Sequence, residues 1–402
     1  MPGKQVVITG LGVISPIGIG REAFCRRLLD GACGIKPISF FDTSIYKTKT
    51  AGEIPDFVPE NFLGVKGLRT LDRSTKLVTC AAKLALEDAG LEVTDGNSGD
   101  IGIAVGSTMG SIKSISDFDK DALLEGPRYV NPALFPNTVI NSPASQVSIR
   151  FAVRGFNATI SNGYSASLDA LNYAAEFLRL GRIKAVLAGG VEELCEQIFA
   201  GFYHAGCLAG SREGSIELSC PFDKRRSGVV LGEGSTMLVM EELEGAKKRG
   251  ARVLGEIKGY ATAFGKDAPK QVMAHAIKRS GLNPQDIDCI LASANSSVEG
   301  DRIEAEAIKD VFAKDAQNVY ISAVKSMIGE QYSNFGATAA AAALCAIERQ
   351  VILPTVNYQE KDPSCGVRVV VRPEQAKVRN VLINAFGKAG SSSSMVISEF
   401  KE

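Results

Sequence analysis

Short apolar runs of β type alternate along this chain with stretches whose apolar residues recur every three or four positions. Residues 5–9 (QVVIT) predict a buried strand that ends in a tight turn at Gly10-Leu11-Gly12. Residues 72–89 predict a helix with Leu77, Ala81, Leu84 and Ala85 on one face and Gly90 as its stop. A short buried strand follows at 101–105. Residues 157–178 (NATISNGYSASLDALNYAAEFL) predict a strand, a tight turn at Gly163-Tyr164-Ser165, and a helix carrying the stripe Leu168, Leu171, Ala175 and Leu178. Residues 185–188 (AVLA) form the next strand. Val229-Val230-Leu231 and Met237-Leu238-Val239-Met240 flank a glycine-rich bend and predict a hairpin. Strands alternating with helices of this length predict an α/β layered fold whose sheets are buried under helices.

The charged segment 241–249 (EELEGAKKR) predicts a helix and a boundary, dividing the chain into halves at 1–250 and 251–402. The pattern then restarts: strand 254–259, helix 267–280, strand 288–292, helix 301–312, strand 319–323 and helix 336–348. Strands near 368–371, 380–383 and 394–398 close it. Each half runs through a similar series of elements, an order that points to duplication.

Composition narrows the function classes. The 402 residues are 45% hydrophobic, enough for a large core. Lys plus Arg equals Asp plus Glu at 45 each, so no global field favours nucleic acid or an anionic membrane, and neither is expected as a partner. The first strand-like run begins at Val6 and leaves no room for a signal peptide, so a cytoplasmic protein is expected. The nine Cys form no CxxC pair and read as small buried thiols, not as a disulfide frame or a metal site. The only His are His204 and His275, which leaves little for imidazole chemistry.

Gly10-Leu11-Gly12-Val13-Ile14-Ser15 half-matches a dinucleotide loop, but the third Gly is missing and Pro16 interrupts the helix such a loop needs. The turn at Gly163-Tyr164-Ser165 lies where a strand–turn–helix displays a nucleophile. Its occupant Tyr164 is a poor one, because a phenol titrates near ~10. Read as a nucleophile elbow, the same turn would make Ser165 the attacking group of an acyl hydrolase, although Ser167 replaces the final Gly.

Four further segments, in this order and spacing, carry a denser signal: Gly10 to Pro16 (GLGVISP); Cys220-Pro221-Phe222-Asp223 leading to Leu231-Gly232-Glu233-Gly234; Lys325-Ser326-Met327-Ile328-Gly329; and Asn384-Ala385-Phe386-Gly387. From end to end the chain resembles the β-ketoacyl-ACP synthases of fatty-acid and polyketide synthesis. The resemblance implies the thiolase fold, two similar α/β halves in a five-layered αβαβα arrangement, working as a dimer without cofactor or metal.

That family's chemistry uses a Cys at a helix N-terminus, which accepts the acyl chain, and two His, which decarboxylate malonyl and stabilise the enolate. The Cys position matches Tyr164, the first His matches Ser293 in ASANSSVEGD, and the second matches Glu330 in KSMIGE. None of the three groups remains, and a carboxylate at 330 is expected to repel malonyl and enolate alike. Lys325 retains the family's lysine, and Asp301 and Glu304 hold acidic positions expected to pair with it. In the gate loop Phe386 is kept, but Lys388 stands where a second Phe belongs, so a sealing hydrophobic gate is not expected. Cys207 is a conceivable substitute thiol whose apolar context favours a structural role.

Scaffold without chemistry resembles the chain-length factor, or KSβ, of type II polyketide synthases. The resemblance implies a heterodimer with an active ketosynthase α. An acyl carrier protein delivers the malonyl unit or the growing chain, and Tyr164 is expected to plug the vacated pocket. Where relatives carry Gln, this chain carries Tyr, a divergent feature. The tunnel that sets chain length is expected to take its wall from Ile112, Ile115 and Phe118 or Asp119, roughly one helix face. Residues 132–148 are expected to cross to the partner, with Phe135 entering its pocket. Lys66, Arg69 and Arg73 form a basic cluster that could touch the acidic carrier. The rival readings are a malonyl-ACP decarboxylase that makes primers, a homodimeric synthase using Tyr164 and Glu330, and the Ser165 hydrolase.

Overall fold

A computed structural model describes residues 4–388 and 390–401. Ten strands build its frame: β1 (Val6–Ser15), β2 (Ile101–Gly106), β3 (Asn157–Ile160), β4 (Ala185–Glu192) and β5 (Gly234–Glu242), then β6 (Gly255–Phe264), β7 (Cys289–Leu291), β8 (Tyr320–Ser322), β9 (Asn380–Phe386) and β10 (Ser391–Ser398). The first five lie in the order β3-β2-β4-β5-β1 and the second five in the order β8-β7-β9-β10-β6. In each set the last strand is antiparallel to both neighbours and the outer pairs are parallel. The two sets are therefore the same motif twice, which the order of sequence elements foreshadowed. They meet along β1 and β6 through Val7 opposite Glu256 and Ile8 opposite Gly255.

Five layers result. Helices α1 (Arg73–Ala89) and α2 (Ser142–Phe151) cover the outer face of the first sheet. Helices α3 (Ala166–Arg179) and α4 (Phe335–Arg349) fill the space between the sheets. Helices α5 (Ala268–Arg279) and α6 (Val298–Phe312) cover the far face. Every residue of α4 from Phe335 to Ile347 is buried, and its run of alanines lets the layers approach closely. The α1 start is capped by Asp72, which accepts the Thr75 N–H at 2.6 Å, and its end by Gly90 in the left-handed region at φ 56°.

Four local expectations are corrected. Strand β1 does not stop at Thr9 but continues to Ser15, with a bulge between Ile8 and Gly10. Gly10 and Gly12 are not a turn. A Cβ at Gly12 would lie 1.9 Å from the Ala81 carbonyl oxygen, so these glycines let α1 lie directly on the strand. Gly259 does the same on β6, where a Cβ would lie 2.2 Å from the Ala276 oxygen of α5. The hairpin at 229–240 does not form. Val229 and Leu231 make isolated bridges to Leu208 and Glu330 and bury their side chains with Tyr46 and Phe199, while β5 pairs with β1 and β4. Glu241 and Glu242 belong to β5, and the charged helix shrinks to Leu243–Lys248. Residues 368–371 form no full strand. Their backbone covers the outer edge of β8, with Ile321 N–H bonded to the Arg368 oxygen at 3.0 Å. The opposite edge, β3, has no strand beyond it among the described residues.

No helix of the described residues is long and apolar enough to cross a membrane. Substituting Gly12→Ala should force α1 off β1. Overpacking of this kind costs about 1–3 kcal/mol and more where backbone is struck, so a fall in thermal midpoint of several degrees is expected by calorimetry; an unchanged midpoint would refute the close-approach role.

Candidate functional site

The N-terminal ends of both central helices converge on one place. Tyr164 precedes α3, and Glu330 and Tyr332 precede α4. Gly163 takes φ 94°, which favours glycine and swings the chain from β3 into the helix. The turn is stitched from below. Asp169 accepts hydrogen bonds from Asn162 Nδ2 and Tyr260 Oη, from Ser165 Oγ at 3.1 Å and from Ser393 Oγ at 2.6 Å. Thr108 Oγ1 accepts the Gly163 N–H at 3.0 Å.

The Tyr164 ring packs on Tyr332 with centroids 4.3 Å apart, and Phe202 meets Tyr332 edge-on at 5.6 Å. Burial, followed by the charges of Glu330, Tyr332 and Cys207, holds the Tyr164 phenol well above its ordinary value, so it stays neutral. A neutral phenol wedged in an aromatic stack is not a nucleophile. Tyr332 itself takes φ 51°, an uncommon left-handed conformation for a large residue.

Lys325 links the other positions. Its fully buried ammonium donates to Glu330 Oε2 at 2.8 Å and to the Ser293 carbonyl at 2.8 Å. It lies 4.0 Å from the centre of the Phe335 ring and 5.7 Å from that of Tyr164. Asn295 Nδ2 donates to the same Glu330 oxygen at 2.7 Å, and the Tyr332 N–H to the other at 2.9 Å. Glu330 is therefore a neutralised, fully engaged carboxylate. The expectation of a bare repelling charge is corrected to an ion pair that closes the site. Ser293 Oγ accepts the Phe386 N–H at 2.8 Å, which ties its hydroxyl to the gate strand.

Asp301 and Glu304 do not pair with Lys325. Glu330 stands at the ammonium and takes that contact. Asp301 accepts the backbone N–H of Phe222 at 2.8 Å and of Asn295 at 2.9 Å. Glu304 accepts the Ser293 N–H and Asn384 Nδ2, each at 2.9 Å. Burial raises Asp301 to about 6, opposed by the Phe222 and Asn295 N–H groups and by the Arg226 guanidinium 3.8 Å away, and raises Glu304 to about 7.

In the gate loop Phe386 is half-buried, while Lys388 is exposed with its ammonium 3.7 Å from the Cys207 sulfur. Cys207 follows the C-terminal end of the helix Glu196–His204 and is half-buried. Ser165 is buried and its hydroxyl is bonded to Asp169, which Tyr260 and Ser393 already occupy, whereas His204 and His275 are both exposed and neither hydrogen-bonds to it, so the hydrolase reading lacks its histidine. The helix Ile112–Leu124 buries none of its residues. Ile112, Ile115 and Phe118 are half-exposed, Asp119 is exposed, and Phe118 meets the exposed Phe135 at 6.1 Å. Of the basic cluster, Lys66 and Arg69 are exposed, but Arg73 is consumed: it forms two 2.6 Å bonds to Glu233 and lies over Phe40. Sequence reasoning passed over Glu192 and Glu193, two acids closing the apolar run of β4, and Asp169 one turn into α3. A charge pair at the end of a buried strand was the available signal. Among the described residues no group of three or more metal-ligating side chains is assembled.

Removing one member of the buried pair strands the other. Glu330→Ala should cost about 3–5 kcal/mol, read by denaturant unfolding, and adding Lys325→Met to it should restore most of the loss. Equal single and double losses would sink the ion-pair account.

Family models for the β-ketoacyl synthase N-terminal and C-terminal domains match residues 3–246 and 251–359. A 3-oxoacyl-[acyl-carrier-protein] synthase 2 of Synechocystis sp. is 33% identical, and one of Coxiella burnetii 34%, each alignment covering 99% of both chains. Among solved structures, the ishigamide ketosynthase/chain length factor superposes with a TM-score of 0.92 at 31% identity, over 99% of this chain and 100% of that one. A type II polyketide-synthase acyl-carrier protein in complex with its ketosynthase bound to the hexaketide gives a TM-score of 0.90 at 27% identity, with the same coverage. Two mirrored five-stranded motifs, the ketosynthase signature segments and matches across nearly the whole length place this chain in the β-ketoacyl synthase family, with its thiolase fold.

Proposed function

We propose that the chain is a catalytically silent chain-length-factor subunit, the KSβ partner of an active ketosynthase α. The observation that carries the reading is the filled site. Tyr164 is stacked and neutral where an acylated Cys belongs, and Glu330 is locked to Lys325 where a His belongs. Neither arrangement leaves a nucleophile or a hydrogen-bond donor for an enolate. The Ser293 hydroxyl could donate, but it already spans the Phe386 backbone. The decarboxylase and homodimeric-synthase readings both need such groups.

The surface supports pairing. Strand β3 presents an unpaired edge. The last residues of the helix Ile112–Leu124 and the segment that follows expose Leu123, Leu124, Tyr129, Leu134, Phe135, Val139 and Ile140, a run of apolar side chains that water alone would cover at a cost. On this reading residues 1–250 and 251–402 act as the two ketosynthase halves. Ile112, Ile115 and Phe118 line the far end of a tunnel that starts at the partner's Cys. Acyl carrier protein bearing malonyl or the growing chain docks chiefly on the partner, and the ishigamide neighbour's name pairs the same two roles.

The pure chain mixed with acyl- and malonyl-ACP should take up no acyl group and release no CO2; either event would overturn the silent-subunit reading. Co-expression with a ketosynthase α should give a 1:1 complex, against a stable homodimer if the reading is wrong. In that complex Ile115→Ala should shift the product to longer chains, seen by mass spectrometry, and an unchanged length would remove Ile115 from the tunnel wall.

A further inference from the structure

The helix Ile112–Leu124 has no buried residue to hold it. Its hydrogen-bonded anchors lie at its base, and further along Phe118 rests on Phe135 with ring centroids 6.1 Å apart. Glu192, 2% exposed, accepts the Thr108 N–H at 2.6 Å and the Met109 N–H at 3.1 Å, and also receives the Ser333 hydroxyl. Glu193, 3% exposed, accepts the Lys113 N–H at 3.3 Å. Asp72 accepts the Ser111 hydroxyl at 2.6 Å, and Ser74 Oγ donates to the Gly110 carbonyl at 2.9 Å. The last anchor is Gln197 Nε2, 3.5 Å from the Ser116 hydroxyl. Beyond Ser116 no side chain of the helix hydrogen-bonds outside it among the described residues. The helix is an arm clamped at one end.

We propose that Glu192 and Glu193 are positioning residues: by gripping residues 108–113 from beneath, they set the angle of the arm and so the length of chain the tunnel admits. This rests on the silent-subunit reading above. Ser333 belongs to the segment that carries Glu330 and Tyr332, so Glu192 also fixes the arm relative to the plugged site. Lateral shifts at the base are amplified along a rigid helix of 13 residues, which at 1.5 Å per residue extends about 20 Å.

The clamp is pH-sensitive by construction. Burial pushes Glu192 up to about 7. Burial, and then the neighbouring charge of Asp72, pushes Glu193 up to about 8. The groups facing the pair are Asp72 and Arg73 at the start of α1, Lys113 on the arm, Cys195 before the helix Glu196–His204, Glu233 ahead of β5 and Tyr332 ahead of α4. An acid whose closed-state pKa lies above its open-state value favours the closed state most at low pH. The grip is full below the ordinary carboxylate pKa of about 4.3, weakens as pH rises, and stops changing once the closed-state value is passed. Glu192 is half ionised at pH 7, so between pH 7 and 8 most of the slope belongs to Glu193 and a smaller part to Glu192.

Hydrogen exchange of residues 107–124 in the ketosynthase complex, corrected for intrinsic rates, tests this together with product length. In the native complex, local opening should rise by about tenfold between pH 7 and 8, and the product mix should broaden toward longer chains. With Glu193→Gln the rise over that interval should shrink to about twofold, with a correspondingly smaller change in the product mix. With Glu192→Gln the slope below pH 7 should shrink while most of the one above it stays. A native slope of zero, or one that Glu193→Gln leaves at its full size, overturns the positioning role. Ile115→Ala separates the two levels. If it lengthens the product while Glu193→Gln leaves the pH response intact, only the clamp fails. If Ile115→Ala changes nothing, the tunnel reading beneath it fails as well.

Discussion

The shared layer of two helices between two sheets is the constraint on which the rest of this molecule depends. Helix α4 is buried along almost its whole length and is built largely of alanine. Only side chains that small let α3 and α4 touch each other and both sheets at once. Because the two helices run from the same region, their N-terminal ends deliver Tyr164, Glu330 and Tyr332 to one point. The site is a by-product of the packing geometry, and it would exist whatever residues occupied it.

What occupies it here is consistent at every level. The aromatic stack of Tyr164, Tyr332 and Phe202 takes up the volume. The Lys325–Glu330 pair takes up the charge. A buried lysine is costly without a partner, and a buried glutamate equally so; together they offset each other, with Asn295 and the Tyr332 N–H completing the acid's hydrogen bonds. A substitution at 330 alone would leave a buried charge exposed to nothing. The interior therefore holds a filled and electrically balanced core at the place where its relatives' fold provides a working pocket, and the surface carries the unsatisfied features instead. These are an open sheet edge at β3 and apolar side chains from Leu123 to Ile140.

Much of this was legible in the residues. The alternation of strand and helix, the repeat of element order and the family resemblance all emerged from short patterns whose period is local. The signature segments that flank positions 164, 293 and 330 are what drew those three residues into the functional reading. Misreadings arose where a local pattern has two tertiary uses. Gly10-Leu11-Gly12 reads as a turn, yet here glycine serves close approach of α1 to a strand that continues. Val229 to Leu231 reads as half of a hairpin, yet it packs in a separate cluster. Asp301 and Glu304 read as partners of Lys325, yet backbone amides claim them.

The sequence by itself determined the family, the layered fold, and the helical periods that place apolar faces inward. Those properties follow from spacing along the chain, which needs no third dimension. Only the tertiary structure decided how the vacated positions are used. That Arg73 is spent on Glu233, and that Glu192 and Glu193 grip the base of a helix with no fully buried residue, are facts about residues far apart in sequence, and even the Lys325–Glu330 pair, five residues apart, is closed only by the fold around it. Their charges acquire meaning through distance and burial, and both are set by the closing of the core.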